Sequence, residues 1–185
     1  MKTQYSNAIV DHYSKVWSAP LETVPFNKGP IWQLPRDFAV LCCPPHGGRK
    51  MWTYATQCMS QSSDSVALEL HMFTKNRAED LTELLVVMAH YHRTAQQLGL
   101  HHTVNFGRPW LPNSVCEFGF MSLPYLDGPK LEWMESGSTR VRFLWVIPIS
   151  GSEREFKKRE GADALEAKFE QAQFDYADPE RKTVV

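Results

Sequence analysis

With 185 residues, 20 basic against 21 acidic side chains and a net charge of −1, the chain has no overall field that would draw it to a phosphate backbone or an anionic membrane. Its length suits one domain burying about two-thirds of its unfolded surface. No run approaches about 18 consecutive apolar residues, and the start Met1-Lys-Thr-Gln-Tyr-Ser-Asn7 has no apolar signal core, so neither nucleic acid nor membrane is an expected partner and a cytoplasmic location is expected.

Ser6 to Trp17 reads as a first helix capped by Ser6. Pro20, Pro25, Gly29-Pro30 and Pro35 then mark an extended connection. Residues 1–34 are therefore a helix and a proline-rich connection, too short for a core of their own, wrapping along a domain that spans 35–185. Phe38 to Cys43 and Met51 to Gln57 read as strands joined through the turn-rich Pro44-Pro-His-Gly-Gly48.

Val66, Leu68, Leu70 and Met72 alternate with Ala67, Glu69 and His71, which predicts a strand with one solvated face and His71 pointing away from the core. From Ala78 the period changes: Leu81, Leu84, Leu85, Met88, Tyr91, Ala95 and Leu98 recur three and four apart, the stripe of a long amphipathic helix. Further strands are expected at His102 to Phe106, Val115 to Leu123, Leu131 to Met134 and Thr139 to Ile147. Phe143 to Ile147 is an unbroken apolar run that should end near Pro148, which has no amide to donate. Ser150 stands three residues before Glu153, the spacing of a capping box that opens a helix. A second short helix carries Ala162, Leu165, Phe169 and Ala172 on one side. Strands in sequence, one long helix between them and helices gathered at the end predict an α+β fold: a mixed, largely antiparallel sheet packed against helices in a single compact domain.

The candidate chemistry is thin. Cys42, Cys43, Cys58 and Cys116 have no CxxC spacing and read as reduced, buried thiols. The adjacent cysteines are read as lacking a nearby histidine, and there is no GxSxG, P-loop or GxGxxG. His90 and His92 lie about 200° apart around a helix and cannot share an ion. His101 and His102, if extended, point to opposite faces. A three-ligand site from distant segments, such as His71, His102 and Asp127, stays open as an alternative. Glu153, Glu155, Glu160 and Glu166 interleave with Arg154, Lys157, Lys158 and Lys168 and read as a solvated helix surface. Asp178-Pro179 predicts a turn that frees Arg181 and Lys182 to pair with acidic neighbours in a structural clasp. No cofactor is expected.

What remains is interaction chemistry. His101-His-Thr-Val-Asn-Phe-Gly-Arg-Pro-Trp110 brings aromatic rings and an arginine beside turn-forming residues, the types that anchor protein interfaces. The alternative is that Phe106 and Trp110 close one edge of the core.

The run Arg142-Phe-Leu-Trp-Val-Ile-Pro-Ile-Ser150, followed by Glu153-Arg-Glu-Phe-Lys-Lys-Arg-Glu-Gly161 and by Phe174-Asp-Tyr-Ala-Asp-Pro-Glu-Arg-Lys182, resembles the C-terminal part of the Suppressor of fused domain family. The resemblance continues upstream through Leu81 to Trp110 and Ser114 to Leu126. It implies an α+β domain without established catalysis that binds and restrains other proteins, in bacteria as a suspected immunity protein against toxins. It also implies that a partner peptide is held as an added strand. Tyr91 matches a tyrosine of that site. His102 falls where the animal relatives have an acidic residue, and their second lobe has no counterpart here, so a different partner is implied. The expected partner-binding residues are Tyr91, His101, His102, Phe106, Arg108 and Trp110. The expected function is a non-enzymatic protein-binding domain that neutralises a toxin by occlusion. The alternatives are a metal-dependent or Cys/His hydrolase and a regulatory scaffold for an endogenous protein.

Overall fold

The computed structural model describes residues 3–185. The first helix, α1 (Gln4–Trp17), begins one turn earlier than expected: Thr3 is its cap, with Oγ1 accepting from the Ser6 amide at 3.1 Å. Ser6 lies inside the helix, buried against Gln57. Spacing of four brings Ile9, Tyr13 and Trp17 onto one face. After β1 (Glu22–Thr23) and a 3-10 turn at Gly29–Gln33, β2 (Ala39–Cys43) and β3 (Trp52–Gln57) form the expected antiparallel hairpin, closed by a His46–Arg49 bridge.

β4 (Ala67–Thr74) pairs antiparallel with β3 and parallel with the last strand, β8 (Thr139–Ser150). Its eight residues are all buried, Glu69 and His71 included, so the expected solvated face does not exist. Period-two alternation distinguishes the two faces of a strand but does not show that one of them is wet. Leu68, Leu70 and Met72 meet α2 (Asp80–Thr94), which inserts Leu81, Leu84, Leu85 and Met88. Ala67 on the opposite face lies under Ile9, Tyr13 and Trp17 of α1, with Phe143 beside it.

Beyond α2 come β5 (Thr103–Asn105), β6 (Cys116–Ser122), the single turn α3 (Pro129–Glu132) and β7 (Trp133–Ser136). Leu131, expected in a strand, belongs to that turn, and the strand begins at Trp133 and returns through Gly137 into β8. The sheet has eight strands, ordered β1-β2-β3-β4-β8-β6-β5 with β7 also on β8. Only the β4–β8 pair is parallel.

β8 does not stop at Pro148. Pairing with β4 ends at Trp145, while β6 stays paired through Ser150. The Pro148 carbonyl accepts from Arg181 Nη2 at 2.8 Å, on the side away from β6. Nitrogen and oxygen of a strand residue point the same way, so the missing amide falls where no strand requires it.

The capping box then forms as expected: Ser150 Oγ accepts from Glu153 N and Glu153 accepts from Ser150 N, opening α4 (Gly151–Glu160). α5 (Ala162–Ala172) buries Leu165 and Phe169 against Phe73, Phe120, Trp145 and Ile147. The sheet is thus covered by α2 on one face and by α1, α4 and α5 on the other, in one domain. Among the described residues no helix is long and apolar enough to cross a membrane.

Candidate functional site

β5 is an edge strand. Phe106 N donates to Glu117 O at 2.9 Å and Met121 N to His102 O at 3.0 Å, so residues 102, 104 and 106 face β6. By alternation the main-chain groups of Thr103 and Asn105 point out of the sheet. The preceding outward carbonyl, that of His101, is taken by Lys157 Nζ, which also donates to Thr103 Oγ1 at 3.1 Å. Beside this edge Tyr91, Gln96, Leu98, His101, His102, Thr103 and Lys157 enclose a cleft of about 240 Å³.

The fold therefore brings together three of the six residues singled out in the sequence. Tyr91 stands in the last turn of α2 and donates to Gln96 Oε1 at 3.1 Å. His101 has a left-handed backbone (φ 65°) and lays its ring parallel to Phe120, centroids 6.0 Å apart. His102 is exposed. The other three lie elsewhere. Phe106 packs so tightly on β6 that a Cβ at Gly119 would stand 2.7 Å from its ring. Arg108 reaches back to the start of α2, pairing with Asp80 at 3.3 Å and Glu83 at 3.2 Å. Trp110 is 1% exposed and belongs to the core beneath α2.

The histidines and cysteines do not assemble a nucleophilic site. His46, three positions after Cys43, does approach its thiol, at 3.6 Å, which corrects the reading that the cysteines stand without a histidine. However, its Nδ1 faces the Pro44 carbonyl at 2.9 Å and its Nε2 the Trp17 carbonyl at 2.7 Å. Each ring nitrogen therefore lies closer to a backbone carbonyl than to the sulfur, which engages the ring with the main chain rather than with the thiol. Burial also pushes the Cys43 thiol up to about 11. All four cysteines are buried and reduced, as expected. His92 accepts from the Leu98 amide at 2.8 Å and closes the loop after α2. His71 is wholly buried, and burial lowers its pKa to about 4, with Asp127 opposing and Arg49 adding to the shift. The grouping of His71, Asp127 and His102 does not form: His71 and Asp127 lie on the α1 side near Arg49, whereas His102 is at the β5 edge.

Two features were not read in the sequence. Glu153, placed there on a solvated surface, is fully buried and forms a two-pronged ion pair with Arg181. The expected clasp thus exists, with one of the supposed surface carboxylates as its anchor. A groove of about 690 Å³ lies on the α5 side of the sheet, with Trp145, Ile147, Phe169, Phe174 and Tyr176 among its lining and Asp163, Glu166 and Glu170 on its walls. Its residues come from three separate stretches of chain, 122–126, 145–147 and 163–176, which no spacing rule connects. His101 stands between groove and cleft, its Nε2 3.9 Å from Glu166 Oε1.

The family model of Suppressor of fused protein (SUFU) matches residues 35–182. Among solved structures, a SUFU homolog from Neisseria gonorrhoeae is 30% identical with a TM-score of 0.85, covering 98% of this chain and 97% of that one. The Sufu-Fu complex structure superposes with a TM-score of 0.71 at 14% identity, over 97% of this chain and 92% of that one. Drosophila Suppressor of Fused gives the same score and identity, with 97% of this chain spanning 51% of that protein. At that identity the last two show the fold alone. No curated protein sequence matches the chain.

Proposed function

The chain belongs to the Suppressor of fused protein family, and from that premise we propose that it is a non-enzymatic protein-binding domain that neutralises a toxin by occluding it. The observation that carries the reading is the outer edge of β5, where Thr103 and Asn105 present main-chain groups to solvent beside the cleft of Tyr91, His101 and His102. An extended segment of a partner adds there as a further strand, its main chain satisfying that edge and a side chain entering the cleft. The solved Sufu-Fu complex supports the protein-binding part of the reading. So does the chemistry of the buried thiols: burial raises Cys43 to about 11, which keeps it in the poorly nucleophilic thiol form, and the His46 ring beside it is engaged by two backbone carbonyls.

Half-buried Phe106 and Arg108 lie on the segment that runs on from this edge, Phe106 packed on β6 and Arg108 paired with the start of α2. Trp110, fixed in the core, holds the segment that carries them. The test is capture of a stoichiometric partner from the host's own lysate by the tagged chain, repeated with Tyr91→Ala and with an edge-blocked variant, followed by growth of cells expressing the partner with and without the chain. Loss of capture in both variants and rescue of growth by the intact chain are expected. A partner held equally well by both variants sinks the edge as the site. A partner whose expression is harmless sinks the toxin.

A further inference from the structure

We propose that His101, Asp163 and Glu166 form a binding site for one divalent transition-metal ion of the zinc class, at the wall of the α5 groove. One donor atom from each residue lies within 4.8 Å of the other two. An ion at the centre of an equilateral triangle of that edge sits 4.8/√3, about 2.8 Å, from each donor. Zinc–nitrogen and zinc–oxygen bonds are about 2.0–2.2 Å, so shifts of under ~1 Å in three side chains complete the contacts. One imidazole nitrogen with two carboxylate oxygens suits zinc and its neighbours, whereas magnesium and calcium take oxygen shells.

The surroundings are arranged for a cation. Asp163 and Glu166 stand one turn apart on α5, where like charges repel, and among the described residues neither has a lysine or arginine ion partner. The nearby Lys157 amine is spent on the His101 carbonyl and Thr103 hydroxyl. Each oxygen of Glu166 accepts from its own hydroxyl, Oε1 from Ser122 and Oε2 from Tyr125 at 3.0 Å, the outer bonds that orient a ligating carboxylate. The left-handed backbone at His101 and its stacking on Phe120 bring the ring to these carboxylates. With three protein ligands, the remaining position opens into the groove and takes water, as in open zinc sites.

The site does not rest on the protein-binding reading, and its test uses the full chain alone. Metal-stripped protein is titrated with Zn2+ by calorimetry and with Co2+ by visible absorption. One Zn2+ per chain is expected, with the affinity weakened in each of Asp163→Asn, Glu166→Gln and His101→Asn by at least the ~10-fold that loss of an outer-shell partner costs. Asparagine tolerates the left-handed backbone at position 101. His102→Gln is the control, and Asp163 is exposed, so its variant carries the test even where another fails to fold. Absence of stoichiometric Zn2+ binding overturns the proposal. So does binding that survives Asp163→Asn unchanged or is lost in His102→Gln alone.

Discussion

Arg181 meets Glu153 fork to fork, Nη1 to Oε1 and Nη2 to Oε2, each at 2.8 Å, with side chains 5% and 0% exposed. The same carboxylate accepts from the amides of Ser150 at 2.8 Å and Val184 at 3.0 Å. One buried group therefore ties together the end of β8, the start of α4 and the C-terminal segment. Burial raises the Glu153 pKa, but the bonds and charge of Arg181, with the two amides, outweigh it and the net shift is downward.

Arg181→Met leaves that carboxylate buried and unpaired, which costs about 3–5 kcal/mol. At about 2–4 °C per kcal/mol for a chain of this size, the midpoint of thermal unfolding falls by roughly 6–20 °C. Because the folded pKa is lowered, the contribution is present above the usual carboxylate range and lost as pH falls through the folded value. Calorimetry across acid pH checks both: the variant starts lower and loses less on acidification than the parent.

Glu69 and His71, on one face of β4, are predicted to tilt stability in opposite directions. Burial drives Glu69 up to about 7, against donors from Ser60, Thr56 and the Ser60 and Met59 amides. Its folded pKa is raised, so its contribution is full below the ordinary 4.5 and is lost as pH rises through about 7. His71 is lowered from 6.5 to about 4, so its contribution is full above 6.5 and is lost as pH falls through about 4. Between about 4.5 and 6.5 the two slopes cancel. Against the parent profile in that window, the urea midpoint is expected to tilt downward with rising pH in His71→Phe and upward in Glu69→Gln. A Glu69→Gln profile with the parent's slope would show that Glu69 does not hold its proton.

Gly119→Ala places a Cβ 2.7 Å from the Phe106 ring and 2.9 Å from Val146 Cγ1. Overpacking of this kind costs about 1–3 kcal/mol. Adding Phe106→Leu is expected to recover part of that loss, a coupling that a double-mutant cycle in urea measures.

Thr103→Pro removes an amide that points away from β6, so the thermal midpoint is expected to stay within about 2 °C of the parent, consistent with proline's tolerance on edge strands. Partner capture is expected to fall at least tenfold. A large loss of stability instead would show that the Thr103 amide is engaged within the fold.

Local spacing was enough wherever both partners of an interaction lie within a few residues. The Ser150–Glu153 capping box, the β2–β3 hairpin around Gly47-Gly48 and the leucine stripe of α2 are such cases, because turn chemistry and helical period act over one or two turns of chain. Even there the start of α1 slipped: both Thr3 and Ser6 carry a capping hydroxyl, and only the burial of Ser6 beside Gln57 decides between them. Of the residues expected to bind a partner, Tyr91, His101 and His102 converge on one cleft with Gln96 and Leu98 of the loop after α2, whereas Trp110, chosen by residue type, went to the core where a large ring buries most area.

The sequence by itself determined which stretches become helix or strand, the antiparallel bias and the membership of a family, since these are written in periodicity and in the order of residues along the chain. Only the tertiary structure decided that both faces of β4 are dry, that β8 runs past Pro148, that Glu153 is buried under Arg181 and that His101 comes to Asp163 and Glu166. Those outcomes depend on which distant segment covers a given face or sheet edge. Burial, pairing and pKa follow from that covering layer, and it lies tens of residues away from the groups it governs.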